Sequence, residues 1–297
     1  ANAGFAQAIY EEYLRDPAAV LPEWRRLFEG GRIGEPPTPA ATKGPIQPAA
    51  SPAITNGATG VAHGQPLKGP AARLAANMNE SLSVPTATTF REISVRALET
   101  RRAELNAGLK SAGRAEKISF THLIGFALVR AAAAHPVMTN AFAIVDGVPH
   151  RISPPGINLG LAVDAERKDG TRGLVVPVIR KSEEKSFTQF HAEYEGLVEK
   201  ARTGKLMPDD FAGGNMTLTN PGGLGTVASV PRLMAGQGSI IAVGAIGYPP
   251  EYLGMSADQL ASLGVSKVMM ITSTYDHRVI QGAESGDFLL TMERLLQ

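Results

Sequence analysis

The sequence predicts an α/β protein of the α+β two-layer kind, a mixed sheet with helices packed on it rather than a doubly wound parallel sheet. Three observations predict it. Helical and strand-like patterns alternate through residues 71–297. Two of the strand-like stretches carry Asp-Gly between apolar runs, the strongest short-range hairpin signal. Hairpins among long helices require antiparallel pairs in the sheet, with the helices covering it.

In chain order, residues 5–29, FAQAIYEEYLRDPAAVLPEWRRLFE, place Phe5, Ile9 and Tyr13 at four-residue spacing, then Leu21, Trp24, Leu27 and Phe28 after a proline-marked break. Residues 1–29 are therefore expected to hold two short amphipathic helices. They are too few to bury their own aromatic stripe, which should dock on something in this chain or another, either by simple packing on a neighbouring domain or as a recognition surface. From 30 to 70 the composition turns to Pro, Ala, Gly, Ser and Thr, as in EPPTPAATKGPIQPAASPAITNGATG. With almost nothing large and apolar to bury, this stretch cannot offset its ordering entropy and is expected to be an extended, disordered linker.

The domain over 71–297 opens with TATTFREIS (86–94), of strand composition, followed by RALETRRAELNAGLKSAG at helical spacing. FTHLIGFALVRAAAAHP (120–136) is a mostly apolar helix stopped by Pro136, so it should be buried on most sides. NAFAIVDGVPHRI forms a hairpin at Asp146-Gly147, and INLGLAVDAERKDGTRGLVVPVI repeats the design as two strands joined through Asp169-Gly170. SFTQFHAEYEGLVEKARTG is an amphipathic helix ending at a glycine. Strands NMTLTN, SIIAVGAIG and VSKVMMITST follow, and GAESGDFLLTMERLL closes as a helix. The chain shows no internal repeat.

Composition excludes several functions. Twenty-nine basic against 28 acidic residues, 6% aromatics and no long basic run argue against nucleic acid as a partner. The absence of cysteine removes thiolate nucleophiles, Cys-based zinc or iron–sulfur sites and disulfides. No stretch approaches 18 uninterrupted apolar residues, and Glu11, Glu12 and Asp16 stand where a signal peptide needs a basic, then apolar start. The expectation is a cytoplasmic protein without a membrane partner.

Two patterns mislead. Gly223-Leu-Gly225-Thr-Val-Ala228 fits the dinucleotide pattern G-x-G-x-x-A, but Pro231 and Gly236 intrude where a helix should run, and no acidic residue follows at ribose distance. The six histidines, at 63, 122, 135, 150, 191 and 277, fall at no metal-ligand spacing, so no metal site is expected. His122 and His135, on or just after the buried helix, read as packing or capping residues. His277 differs. It lies between Asp276 and Arg278, just past an apolar strand and before Gly282, where a side chain can project into a cleft. Spacing alone leaves it either structural or catalytic.

STYDHRVIQGAESGDFL resembles the D-H-R-x-x-D-G motif of the dihydrolipoamide acyltransferase catalytic domains, the coenzyme A-dependent components of 2-oxo acid dehydrogenase complexes. SLSVPTATTF and KISFTHLIGFALVRA resemble that domain's opening strand and first long helix. NLGLAVD with GLVVPVI resembles its paired central strands, and NMTLTNPGGLGTVASVPRLMAGQGSIIAVGAI its acyl-site strand and loop. The blocks keep the family's order over about 70–297. The resemblance implies the chloramphenicol acetyltransferase-like fold, a homotrimer, His277 as general base and Thr219 as oxyanion donor from a neighbouring subunit. It also implies CoA as co-substrate and lipoamide supplied in trans. Asn220, Gly222, Gly223 and Gly225 would shape the loop beside Thr219, and Asn158 with the strand after it would line the substrate channel. Asp276, Arg278, Gln281 and Gly282 would support the histidine.

The N-terminal FAQAIYEEYLRDPAAVLPEWRRLFEG resembles the first segment of the 2-oxoglutarate dehydrogenase decarboxylase. That segment, a Pro/Ala linker and a succinyltransferase-like domain together resemble the actinobacterial multifunctional 2-oxoglutarate decarboxylase/dehydrogenase family. There a domain using thiamine diphosphate and Mg2+ follows, so the chain is expected to be a fragment, with its lipoyl carrier and a dihydrolipoamide dehydrogenase as separate partners. One departure stands out: Gln281 occupies the aspartate position of the motif. An amide can replace hydrogen bonds but not charge. The expected activity is succinyl transfer from succinyl-dihydrolipoamide to CoA. A catalytically idle trimeric scaffold for decarboxylase domains is the alternative, and a free-standing chloramphenicol-type acetyltransferase is disfavoured by the N-terminal segment.

Overall fold

The computed structural model describes residues 13–18, 20, 25, 66–68, 70–166 and 172–297, in two units that divide between residues 65 and 66. In the first unit residues 13–15 are helical, and the Arg25 guanidinium donates to the Ala18 and Val20 carbonyls. The rest of the expected helical pair over 1–29, and nearly all of the linker expected over 30–70, lie outside the described residues.

The second unit begins with α1 (Pro70–Ser81), β1 (Thr86–Ser94), α2 (Arg96–Ser111) and α3 (Phe120–Ala134). The hairpin β2 (Ala141–Val145) and β3 (Val148–Ile152) turns on Asp146 and Gly147, both at positive φ (51° and 78°), as the Asp-Gly pair predicts for a type I′ turn. Next come β4 (Leu159–Leu161), β5 (Val163–Glu166), β6 (Arg172–Val175) and β7 (Val178–Ile179). Here the expectation of two strands fails, because each divides. β4 and β7 pair in the main sheet, whereas β5 and β6 form a separate two-stranded ribbon. Pro177 lacks an N–H for the ladder, and the Ala162 N–H turns to the Leu218 carbonyl, so pairing changes at those points. The Asp169-Gly170 turn lies outside the described residues.

The chain continues through α4 (Phe187–Thr203), β8 (Met216–Thr219), β9 (Ser239–Val243), α5 (Ala257–Ser262), β10 (Val268–Asp276) and α6 (Gly282–Leu296). α4 starts at a Ser186/Gln189 capping box and stops at Gly204, which takes the left-handed conformation (φ 68°) that closes helices. The six-stranded sheet has the order β1-β10-β9-β8-β4-β7. β8 is parallel to both β9 and β4, and the outer pairs are antiparallel, so the sheet is mixed as predicted.

Strand alternation divides the sheet's two faces. Met269, Ile271 and Tyr275 of β10 and Leu218 of β8 point to the helix layer, where Ile124, Leu128, Phe190, Phe288, Leu289 and Met292 form the core. Each such side chain contributes roughly 1.5–3 kcal/mol by burial. Gly125 of α3 keeps this packing close: a Cβ there would lie 3.2 Å from both the Leu218 and Phe190 side chains, which would have to shift by a few tenths of an ångström. The other face is polar and roofed by the loop after β8. There Thr272 donates to the Ser229 carbonyl and Thr217 to the Gln237 amide oxygen. No helix among the described residues is long and apolar enough to cross a membrane.

Candidate active site

β10 delivers His277 to one end of the sheet. The His277 N–H donates to the Pro85 carbonyl (3.0 Å), which joins the histidine to the residue preceding β1. Its Nδ1 lies 3.0 Å from the Ile280 carbonyl. A carbonyl only accepts, so Nδ1 carries the proton and Nε2 keeps a free lone pair on an exposed ring. The ring meets Tyr275 edge-on, with centroids 5.7 Å apart.

Asp276, buried at 3% exposure, turns its carboxylate to Arg278 rather than to the imidazole. It receives the Arg278 N–H (3.0 Å), Nε (2.9 Å) and Nη2 (2.6 Å), and the guanidinium also covers the Phe142 ring of β2 at 3.9 Å. The aspartate thus shapes the turn that presents the histidine. Gln281 is exposed at the start of α6, where its backbone N–H donates to the Glu284 carboxylate (2.6 Å). Gly282 follows it beneath the Tyr275 hydroxyl, which would lie 3.5 Å from an added Cβ.

Thr219 sits at the other end. It faces Ala242 across β8/β9, and Ala242 faces Thr272 across β9/β10, five residues short of His277. At about 3.3 Å per residue along the strand and about 4.8 Å per strand crossed, the two residues are on the order of 20 Å apart. Alternation turns Thr219 to the polar face, away from Leu218, and its hydroxyl has no hydrogen-bond partner among the described residues. Asn220 turns the opposite way, and its amide Nδ2 donates to Thr121 Oγ1 (2.8 Å).

The loop beyond is a 3-10 turn over Pro221–Leu224 that ends at Gly225 in the left-handed region (φ 88°), where no helix follows for a dinucleotide. Gly222 is obligatory. A Cβ there would lie 2.3 Å from the Gly244 backbone, so only glycine lets the loop rest on the end of β9. Gly223 meets nothing within 4 Å.

Asn158 lies at the His277 end. Its Nδ2 donates to the Gly213 carbonyl (2.9 Å), its Oδ1 accepts the Lys181 N–H (2.9 Å), and its own N–H donates to Asn215 Oδ1 (3.1 Å). With Asp276 N–H to Gly238 and Gly238 N–H to Asn215, these bonds form a belt across that end of the sheet. The structure therefore brings together His277, Asp276, Arg278 and Gln281 at one end, with Asn158 at the same end but three strands away, and Thr219 with Asn220 and the three glycines at the other.

Local spacing also missed a cluster. α3 and α4 bring His122 and His191 to a ring-centroid distance of 4.4 Å, with Glu195 Oε1 2.8 Å from His122 Nε2. His122 Nδ1 accepts the Ser119 N–H (3.2 Å) in the capping box of α3, so Nε2 holds the proton and donates it to Glu195. That tautomer fills with hydrogen the nitrogen a metal ion would need. Burial, and next the neighbouring His191, push the His122 pKa below the ordinary 6.5, outweighing Glu195. His135 ends α3 and bonds Thr291 of α6 (2.8 Å). Both residues thus do the capping and packing expected of them.

A mixed sheet with helices on one face presents, just past a strand end, a histidine with one bare nitrogen, an arrangement open to acyltransferase chemistry. Comparison gives the family. Residues 61–297 match the family of 2-oxoacid dehydrogenases acyltransferase (catalytic domain), and the chain belongs to that family. Residues 1–32 match the 2-oxoglutarate dehydrogenase N-terminus. The chain is 46% identical, over 99% of its length, to the 2-oxoglutarate dehydrogenase E1/E2 component of Corynebacterium glutamicum, and spans 27% of that protein. The structure resembles the dihydrolipoamide acetyltransferase of Azotobacter vinelandii (29% identity, TM-score 0.66, 78% of this chain and 90% of that one). It also resembles the cubic core of the pyruvate dehydrogenase multienzyme complex (28% identity, TM-score 0.68, 84% and 97%).

Proposed function

We propose that this domain transfers succinyl groups between dihydrolipoamide and CoA, in a trimer whose sites each take His277 from one copy and Thr219 from the next. The separation of these residues along one rigid sheet carries the reading. Groups on the order of 20 Å apart cannot act on one thioester, whereas a neighbouring copy can bring the opposite end of its sheet to the histidine.

In the transfer, His277 Nε2 takes the CoA thiol proton, and the thiolate attacks the thioester carbonyl carbon of succinyl-dihydrolipoamide. A thiol with a pKa of about 8.5 needs such a base near neutrality. The carbonyl oxygen becomes an oxyanion that accepts a hydrogen bond from the Thr219 hydroxyl. Collapse expels the dihydrolipoamide sulfur, which recovers the proton from Nε2. The Nδ1–H bond to Ile280 holds the tautomer through both transfers.

The Corynebacterium relative's 2-oxoglutarate activity supports a succinyl rather than acetyl substrate, and the cubic core supports the trimer as building unit. The lipoyl group would arrive on an acyltransferase subunit whose partner is dihydrolipoamide dehydrogenase. The Azotobacter enzyme's mechanism was examined at a serine, a histidine and an asparagine four residues beyond that histidine. His277 and Gln281 have the same spacing, so an amide there supports a working site.

The test is a subunit mixture. His277→Ala and Thr219→Ala copies, each inactive with succinyl-CoA and dihydrolipoamide, should recover activity when dissociated and reassembled together. No recovery, or wild-type sedimentation as a monomer, rejects the shared site. A wild type as inactive as His277→Ala, rescued by Gln281→Asp, would establish the scaffold reading instead.

A further inference from the structure

We propose that Thr121 is a positioning residue for acyl transfer, setting Thr219 through the side chain of Asn220. This rests on Thr219 being the oxyanion donor, and nothing in the family motif identifies Thr121. The β8 ladder ends at Thr219, so what fixes the backbone just beyond decides where the hydroxyl points. Asn220 stands between Thr219 and Pro221. Proline bars its predecessor from the helical region, which leaves Asn220 at φ −126°, ψ 77°. Its side chain then crosses to the helix layer and donates to Thr121 Oγ1 at 2.8 Å, a part-buried bond.

The far side of that bond is unusually well fixed. Thr121 is the second residue of α3, whose start is closed by the reciprocal Ser119/His122 box. His122 is tied to α4 through Glu195 (2.8 Å). The chain entering α3 is tied to α2, because Asn106 both receives the Ile118 N–H and donates to the Ile118 carbonyl, each at 2.9 Å. Thr121 therefore presents its hydroxyl from a frame joined to three helices. Leu218 and Asn220 address the helix layer while Thr219 faces the other way, so the Asn220 bond sets the twist of the strand end that aims Thr219. An oxyanion donor works only within a few tenths of an ångström of its 2.7–3.1 Å range, so loosening this bond should act on kcat.

The experiment uses the assembled protein and compares Thr121→Val, which keeps the shape and removes the acceptor, with Thr121→Ser, which keeps the acceptor. Thr121→Val should lower kcat about tenfold with KM for CoA within about twofold. Thr121→Ser should stay near wild type. The decisive measurement is the cycle with Thr219→Ala. If Thr121 acts through Thr219, adding Thr121→Val to Thr219→Ala costs nothing further. Full additivity, or an unchanged kcat in Thr121→Val, overturns the proposal while leaving Thr219 in its role. A Thr219→Ala variant as active as wild type instead overturns the site reading on which the proposal rests. Should Thr121→Val fail to assemble, Asn220→Ala breaks the same bond from the loop side and must show the same non-additivity.

Discussion

The two ends of the six-stranded sheet are built differently. At the His277 end, backbone and amide hydrogen bonds run from strand to strand through Asp276, Gly238, Asn215, Asn158 and Lys181, and His277 itself is held by Pro85 and Ile280. At the Thr219 end, the strand leads into a loop seated on the sheet by the Gly222–Gly244 contact, the Ala245 N–H to the Thr226 carbonyl and the Thr272 hydroxyl to the Ser229 carbonyl, while next to Thr219 itself the one side-chain bond is Asn220 to Thr121. His277 is held by two bonds of its own, whereas the Thr219 hydroxyl has no hydrogen-bond partner among the described residues and depends on its neighbour Asn220. Single substitutions near Thr219 should therefore reach the chemistry more readily than those near Asn158.

The largest effect should come from removing the base. His277→Ala should lower turnover by about 10²- to 10⁴-fold with the fold intact, read by the succinyl-CoA assay together with circular dichroism. Next, Thr219→Val should cost about 10²- to 10³-fold in kcat, and a loss under fivefold would show that the two ends do not cooperate in one site. Gly222→Ala should force the loop off β9, destabilising the domain by roughly 1–3 kcal/mol and lowering kcat, whereas Asn158→Ala should lower the melting temperature with a smaller change in rate. The reverse pattern would break the comparison. Gln281→Asp should change the rate by less than about tenfold, since the histidine's tautomer is held by Ile280 and not by residue 281.

The smallest effect concerns acid. His122 binds its proton less tightly folded than unfolded, so the folded state loses stability as pH falls below the ordinary histidine value of 6.5 toward the depressed one. Melting temperatures across that window should fall in wild type and fall less in His122→Gln. Equal slopes would remove His122 as the cause.

Much of the fold was legible because its signals are local. The Asp146-Gly147 turn, the stop of α4 at Gly204 and the apolar run of α3 each announce themselves within a few residues. The division of 157–179 into four strands was not, since apolar runs do not reveal which partner each residue pairs with. Helices α1 and α5 were missed because they are short and carry few large apolar residues at helical spacing. His277 and Thr219 were found by motif, yet their placement at opposite ends is a property of register. Thr121, His191 and the Ile280 carbonyl carry no signal in spacing, because tertiary packing alone brings them to their partners.

The hydrogen bond from His277 to the Pro85 carbonyl has a practical reach. Pro85 precedes the first strand, so the place where the polypeptide enters the sheet is also what holds the His277 backbone. A shortened gene product starting at residue 86 would keep every strand and still strip the histidine of a support. Anyone trimming this domain for crystallisation, or fusing cargo to its front, should leave α1 and the turn after it untouched.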